Sequence, residues 1–270
     1  MKVIISHDVD SITKWEHSYL FLLKHIVRSI IEFFHGSISY SELVFRGREF
    51  FNNKTNYLDL LMEFDRRHSI PSVFFFGVSN GRNLDYSLDL SIKNIKKVIN
   101  KGFHVGVHGI EYDDFEIMQG EFAQFREISS TLDFGIRIHY LKNNDNTIKY
   151  IESIGYKYDS TLRSDKNPYK KGSLYEFPLH IMDGDAMYSN GKRWQNVNTQ
   201  DAINSTINRI NYLEKKGVEY LTILFHDRYF CNGYISWKSW YIEVVRYLEQ
   251  KNCKFISYDE AIVELEGSSE

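Results

Sequence analysis

The chain has 270 residues, with 33 Lys+Arg against 36 Asp+Glu, a formal charge of −3, 43% hydrophobic and 26% charged residues. That composition excludes a disordered chain, which would lack the apolar surface to offset ordering entropy, and argues against a dedicated nucleic-acid binder, which needs a net positive field. Aromatic residues reach 16%, a level shared by sugar-binding clefts and by ordinary aromatic cores. In chain order, the β-branched run over 2–6 reads as a buried strand. Residues 12–34 carry Trp15, Tyr19, Leu22, Leu23, Ile26, Ile30 and Phe33 at helical spacing. A second helix over 57–67 stops before Pro71, and 72–76 is a short aromatic strand. A helix over 88–100 is ended by Gly102, and strand 103–108, helix 115–129 and strand 135–139 follow. Helix 147–153 is closed by Gly155, and 157–159 and 174–178 read as strands. Helix 202–216, closed by Gly217, leads to strand 219–225, helix 236–250, strand 254–256 and helix 258–265. This strand–helix repetition, about seven times over, predicts a single α/β domain over 1–270 with a parallel, helix-wrapped sheet, either a barrel or an open doubly wound sheet. Two long non-periodic insertions, 36–56 and 164–198, interrupt the pattern. Loops that long in a compact fold are usually functional or mobile.

Cys231 and Cys253 are the only cysteines, too few for a disulfide framework. The opening MKVIISHDVD has no secretory pattern, and the stretch 21–34, with Lys24, His25 and Arg28, is too short and charged to span a bilayer. The expectation is a cytoplasmic protein without stable membrane insertion, against the alternative of a membrane-surface helix.

Polar residues gather where predicted strands end. These places read His7-Asp8-Val9-Asp10, Val107-His108-Gly109, Arg137-Ile138-His139-Tyr140, Asp159-Ser160 and His226-Asp227-Arg228. In parallel α/β folds the C-terminal strand ends form the active-site mouth. Carboxylates and imidazoles converging there suit a divalent metal with an acid/base pair. Each alone has a plainer reading: His7 in a salt-bridged turn, His108 as a core histidine, Arg137 as a carboxylate clamp, His226 as a loop or capping residue. There is no GxxxxGK[ST] phosphate loop, no HExxH, no CxxC and no GxSxG elbow.

At these residues the sequence resembles the polysaccharide deacetylase superfamily (carbohydrate esterase family 4, the chitooligosaccharide-deacetylase-type barrel). Within it, the chain is similar to the divergent branch that opens with H-D-V-D and includes proteins encoded beside O-antigen genes. The resemblance spans 2–261 in motif order and implies a distorted (β/α) barrel with about seven parallel strands. It further implies that Asp8 is the general base and Asp10 a metal-binding carboxylate. G-F-H-V-G-V-H-G, ending at Gly109, resembles the motif that supplies a metal histidine, here His108. Arg137 matches the arginine that holds the base. L-T-I-L-F-H, ending at His226, resembles the motif of the general acid. Y-D-S-T-L (158–162) and F-P-L-H-I-M-D (177–183) resemble the segment that precedes it, with Asp183 placed to orient His226.

The chain also departs from that pattern. The family's second metal histidine falls four residues after the first, where Tyr112 stands. His104 lies four residues before His108, but on a strand the two would be ~13 Å apart at ~3.3 Å per residue. His139, in place of the proline of R-x-P-[YF], is the best substitute ligand, followed by Asp113 and Glu111.

The resemblance therefore implies a zinc-type, metal-dependent hydrolase that removes an acetyl or formyl group from an N-acylated sugar in surface polysaccharide synthesis. A nucleotide- or lipid-linked precursor is the expected substrate, with no nucleic-acid partner and no oligomeric state set. An oxyanion would meet a backbone N–H near Tyr140 or Leu141. Tyr140, Arg193 and Trp194 are the expected substrate contacts, with Arg46 and Arg48 in the first insertion as phosphate readers. Two alternatives stand beside this: an amidohydrolase acting on a small non-sugar amide, and a barrel that has lost its metal and binds carbohydrate through Trp15, Trp194, Trp237 or Trp240.

Overall fold

The computed structural model describes residues 1–13, 19–51, 56–81, 84, 88–192 and 194–267. Strands and helices follow in the order β1 (Lys2–Val9), α1 (Tyr19–Phe34), α2 (Tyr40–Phe50), α3 (Leu58–Arg67), β2 (Val73–Phe76), α4 (Leu88–Asn100), β3 (His104–Gly109), α5 (Phe115–Ser129), β4 (Ile136–Ile138) and α6 (Thr147–Ile154). The second half holds β5 (Tyr158–Asp159), β6 (Tyr169–Lys171), β7 (Leu174–Glu176), β8 (Ile181–Met182), α7 (Asp183–Met187), α8 (Thr199–Lys215), β9 (Tyr220–Leu224), α9 (Ile235–Gln250), β10 (Lys254–Phe255) and α10 (Tyr258–Gly267).

The strands form one sheet in the order β6-β7-β5-β4-β3-β2-β1-β9-β8, with β10 also paired to β1. Among the described residues every pairing is parallel except β6 with β7. The continuous segment 174–182 closes the ring. Its first half lies beside β5, where the Phe177 N–H donates to the Asp159 carbonyl at 2.8 Å. Its second half lies beside β9, where the His180 N–H donates to the Thr222 carbonyl at 3.3 Å. The result is a curled, mostly parallel sheet wrapped by helices, the distorted barrel that the sequence motifs imply.

Alternation along the strands sorts two cores. On β1, Val3, Ile5 and Val9 face the helices, as do Val105 and Val107 of β3, Ile136 and Ile138 of β4, and Leu221 and Ile223 of β9. The opposite face packs Ile4, Val73, Phe75, Tyr158, Tyr175, Phe177 and Tyr220 into the barrel, where Tyr258, Ala261 and Ile262 of α10 join them. Because side chains alternate with period 2, the inward series on β1 runs on from Ile4 to Ser6, Asp8 and Asp10. The same parity brings His108, Arg137 and His226 inward. Gly106 leaves room for this aromatic interior: a Cβ there would lie 2.6 Å from the Phe75 ring and 2.9 Å from the Gly135 carbonyl oxygen.

Several expectations are corrected. The sheet has ten strands, and two of them, β6 and β8, only three and two residues long, were not expected. β1 continues three residues past Ser6 to Val9. The stretch 36–56, read as a non-periodic loop, contains helix α2, whose Ser39 side chain caps the Glu42 N–H. On α1 the apolar stripe is only partly the buried face: Leu23 and Ile30 are exposed and Ile26 and Phe33 half-buried, whereas Ser29 and Glu32 are buried. Trp15 and Lys14 lie outside the described residues. A buried ion cluster explains both helices. Arg46 of α2 donates to Glu32 of α1, to Glu42 and to the Gly233 carbonyl, while Gln195 and Ser236 complete the network. Arg46 is therefore held inside the structure and does not face a substrate phosphate. No helix among the described residues is long and apolar enough to cross a membrane.

Candidate active site

Asp8 and Asp10 leave β1 on its inward face and meet side chains from three other strands at the mouth. Arg137, wholly buried, donates to Asp8 Oδ1 at 2.9 Å. Its remaining donors reach the Ser160 carbonyl at 3.0 Å, Ser160 Oγ at 3.0 Å and Tyr258 Oη at 3.2 Å, and it lies 4.6 Å from the Phe75 ring centroid. A guanidinium so fully engaged fixes the carboxylate it touches. Burial by itself pushes the Asp8 carboxyl up, but Arg137, His108 and His226 outweigh it, so Asp8 titrates below its ordinary range.

Asp10, His108 and His139 form a compact donor set, with one donor atom from each within 4.8 Å of the others. His108 Nδ1 lies 3.0 Å from the Arg137 carbonyl, which can only accept, so Nδ1 carries the proton and Nε2 presents a lone pair. That Nε2 lies 2.9 Å from His139 Nδ1 and 3.4 Å from Asp10 Oδ1, and His139 Nδ1 is 3.7 Å from the same oxygen. Ligands ~2.0–2.1 Å from a tetrahedral zinc stand roughly 3.3 Å apart, and the three observed separations bracket that value. Asp10 Oδ1 is buried with no hydrogen-bond partner, and an unsatisfied buried carboxylate oxygen is costly. Burial and the nearby His108 lower the His139 pKa to about 4, which keeps the ring neutral and able to ligate. The residues present thus fit a divalent cation.

His226 stands across the pocket. Its Nδ1 donates to Asp183 Oδ1 at 2.9 Å, and its backbone N–H donates to Asp183 Oδ2 at 2.7 Å. Its Nε2 faces Asp10 Oδ2 at 3.7 Å. Burial opposes its charged form, yet Asp183 and Asp10 raise its pKa to about 9, so the ring holds a proton at neutral pH. The pocket between these groups has a volume of about 430 Å³, with Tyr140, Arg163, Tyr188 and Trp237 in its wall. Tyr140 and Leu141 both adopt positive φ, 58° and 54°, immediately after His139. Backbone held in that region by non-glycine residues is characteristic of functional sites.

Of the residues singled out in the sequence, Asp8, Asp10, His108, Arg137, His139, Asp183 and His226 come together here, with Tyr140 at the rim. Trp194 stands apart: its ring meets His35 at 4.8 Å and Lys192 lies over it. Arg193 lies outside the described residues. Tyr112 packs on the outer core with Lys142 over its ring, Glu111 accepts the backbone N–H groups of Tyr112 and Asp113, and the exposed His104 pairs with Asp259. Trp237 lines the pocket, whereas Trp240 is buried and donates to Thr206. Sequence reasoning placed Arg228 in a strand-end run but gave it no role, whereas its Nη1 lies 3.1 Å from Asp10 Oδ2, and it missed Tyr258, whose hydroxyl supports Arg137. Arg228 directly follows the His226-Asp227 strand end, which was its one available signal. Tyr258 comes from the far end of the chain, and no local pattern points to it.

No family model matches the sequence, and no curated protein sequence matches it. Solved structures do resemble it. A protein described as a polysaccharide deacetylase from Mycobacterium smegmatis superposes with a TM-score of 0.64 at 18% identity, covering 99% of this chain and 91% of its own. The PuuE allantoinase gives 0.60 at 12% identity over 96% of this chain and 88% of its own. A CE4 family pseudoenzyme from Bacillus anthracis gives 0.50 at 8% identity, over 96% and 64%. The chain therefore has the polysaccharide deacetylase fold.

Proposed function

We propose that the protein is a metal-dependent deacylase that removes an acetyl or formyl group from the nitrogen of a sugar. The observation that carries this reading is the division of labour around one pocket. A carboxylate is locked by Arg137, an Asp-His-His donor set lies beside it, and a protonated histidine locked by Asp183 stands opposite. A divalent cation held by Asp10, His108 and His139 would polarise the amide carbonyl and acidify a water, and zinc suits the nitrogen-rich donor set. Asp8 takes the proton of the attacking water, and Arg137 keeps its carboxylate aimed and ionised. His226 Nε2 gives its proton to the leaving amine, while Asp183 fixes the tautomer that allows this. The backbone N–H at Tyr140 or Leu141 stabilises the developing oxyanion. The sequence resemblance adds the setting, synthesis of surface polysaccharide from a linked sugar precursor.

Acetate release from N-acetylated sugars, free and diphosphate-linked, tests the reading with zinc-loaded and chelator-treated protein. Turnover should require the metal. Asp8→Asn should lower kcat by about 10²–10⁴-fold with metal still bound, because the amide matches the carboxylate in shape but accepts no proton. Full activity in Asp8→Asn would contradict the assignment of the base.

A second reading, a metal-free barrel that binds carbohydrate without cleaving it, is favoured by the Arg228 guanidinium 3.1 Å from Asp10, where it partly neutralises the carboxylate. Bound sugar together with no zinc uptake would establish that reading.

A further inference from the structure

A second pocket, about 420 Å³, opens beside the catalytic one and shares Leu141 and Arg163 with it as a common wall. Both fall within the ~300–1,000 Å³ range of ligand sites. Its other contributors include Asn143, Lys166, Tyr169 and Pro178. Two cations face it and little opposes them. Arg163 Nη1 pairs with Asp185 at 2.5 Å, but that pair is about half exposed, at 43% and 49%, and an exposed pair is weak and easily exchanged. The Lys166 ammonium has no carboxylate within ion-pair distance among the described residues.

The loop that carries these cations is pinned on its other sides. Asp165 is held by Arg209 and Lys216. The Lys166 carbonyl accepts from Nε2 of the buried His180 at 3.0 Å, a tautomer fixed by the Thr222 N–H donating to His180 Nδ1 at 3.1 Å. Asn167 bonds the Gly217 carbonyl and the Glu219 N–H. A fixed backbone presenting two cations is a preorganised binding surface. In the catalytic pocket Arg137, Arg228 and His226 stand against Asp8, Asp10 and Asp183, so its cations are already paired, whereas no carboxylate lines the second pocket among the described residues and an anionic group of a substrate is drawn there.

We propose that the second pocket is an anion-binding subsite, in which Arg163 and Lys166 hold a phosphate or carboxylate one unit away from the sugar that loses its acyl group. Asp185 releases Arg163 to the incoming anion, and the 41%-exposed ring of Tyr169 covers the attached group. The word "substrate" rests on the deacylase reading, whereas the anion site does not.

The test is calorimetric titration of zinc-loaded wild type, Arg163→Gln, Lys166→Gln and the double variant with three probes. The probes are uridine diphosphate, an N-acetylated disaccharide whose second residue is a uronate, and the matching neutral disaccharide. Each single substitution should raise the Kd of an anionic probe about tenfold, and Lys166→Gln, which lies outside the catalytic pocket, should leave the neutral probe unchanged. Loss for uridine diphosphate assigns the site to phosphate, and loss for the uronate alone assigns it to carboxylate. Phosphate bound only through the metal would survive both substitutions. The proposal is overturned if neither anion binds, if the double variant binds both as tightly as wild type, or if the neutral disaccharide weakens equally. Both side chains are exposed, so unchanged melting temperatures are expected and verify folding. Anion binding is read without turnover. Intact binding with no acetate release would contradict the deacylase reading and leave the subsite standing.

Discussion

Asp8 and Asp10 are two residues apart on one strand face, yet their neighbours give them different chemistry. Asp8 is held by Arg137, which Ser160 and Tyr258 brace in turn. Asp10 keeps one oxygen unsatisfied beside two imidazole nitrogens, the condition of a ligand. The same contrast separates the histidines. His139 is neutral because it is buried beside another imidazole, while His226 is charged because carboxylates lie on two sides. In the proposed function a charged His226 serves the leaving amine, so His226→Ala should slow amide cleavage by about 10²–10³-fold while cleavage of 4-nitrophenyl acetate changes less than about tenfold. Stopped assays on both substrates check this, and equal losses would contradict the acid role. The residue types of this site were legible in the sequence because they sit at strand ends. Arg228 was not, since its role depends on how the turn after β9 folds back toward Asp10.

At the scale of elements, strand parity does most of the sorting. Once β1 is seen to reach Val9, D-x-D needs no special turn: both carboxylates fall on the inward face with Ile4 and Ser6. The helices were less legible where they bury charge. α2 reads YSELVFRGREF, and its buried side chains include Glu42 and Arg46, so its inward stripe carries no hydrophobic periodicity. The same cluster turns Glu32 of α1 inward and leaves Leu23 and Ile30 of the apolar stripe exposed. α5 buries a further carboxyl, Glu121, which accepts from Ser79 Oγ and from the Ile110 N–H, with its second oxygen unpartnered. Burial raises its pKa from 4.5 to about 6. A folded-state pKa above the unfolded value means that the folded state binds more protons between these two values. Stability from this group is therefore present below about pH 4.5 and declines as pH rises through about 6, by about 2 kcal/mol in all. Glu121→Gln keeps the acceptor oxygen and removes the ionisation. Denaturant titrations at pH 4.5 and pH 7 should show the variant gaining about that much on wild type across the interval. An equal pH response in both proteins would contradict the assignment.

For the whole molecule, the alternation of strands and helices made an α/β sheet legible, but not its closure. The ring closes through one short stretch, 174–182, that begins beside β5 and ends beside β9. Strands of two or three residues leave almost no periodic signal, which is why β6 and β8 were not read from the sequence. Closure is what matters for chemistry. It carries Asp183, at the end of β8, to the His226 side of the mouth, opposite the Asp8–Arg137 pair. Arg137 spans the interior from β4 to Asp8 on β1, and Tyr258 of α10 supports it from the last helix. The fold thus delivers one mouth with a carboxylate held by Arg137, a histidine held by Asp183 and three metal-type ligands, and the proposed function depends on those ligands holding a cation. The most direct measurement is zinc content per chain after loading and desalting, for wild type, Asp10→Ala and His139→Ala. The account predicts about one zinc per wild-type chain and loss of tight binding in both variants. A wild type that stays empty, or a His139→Ala protein that holds zinc as tightly as wild type, would contradict it.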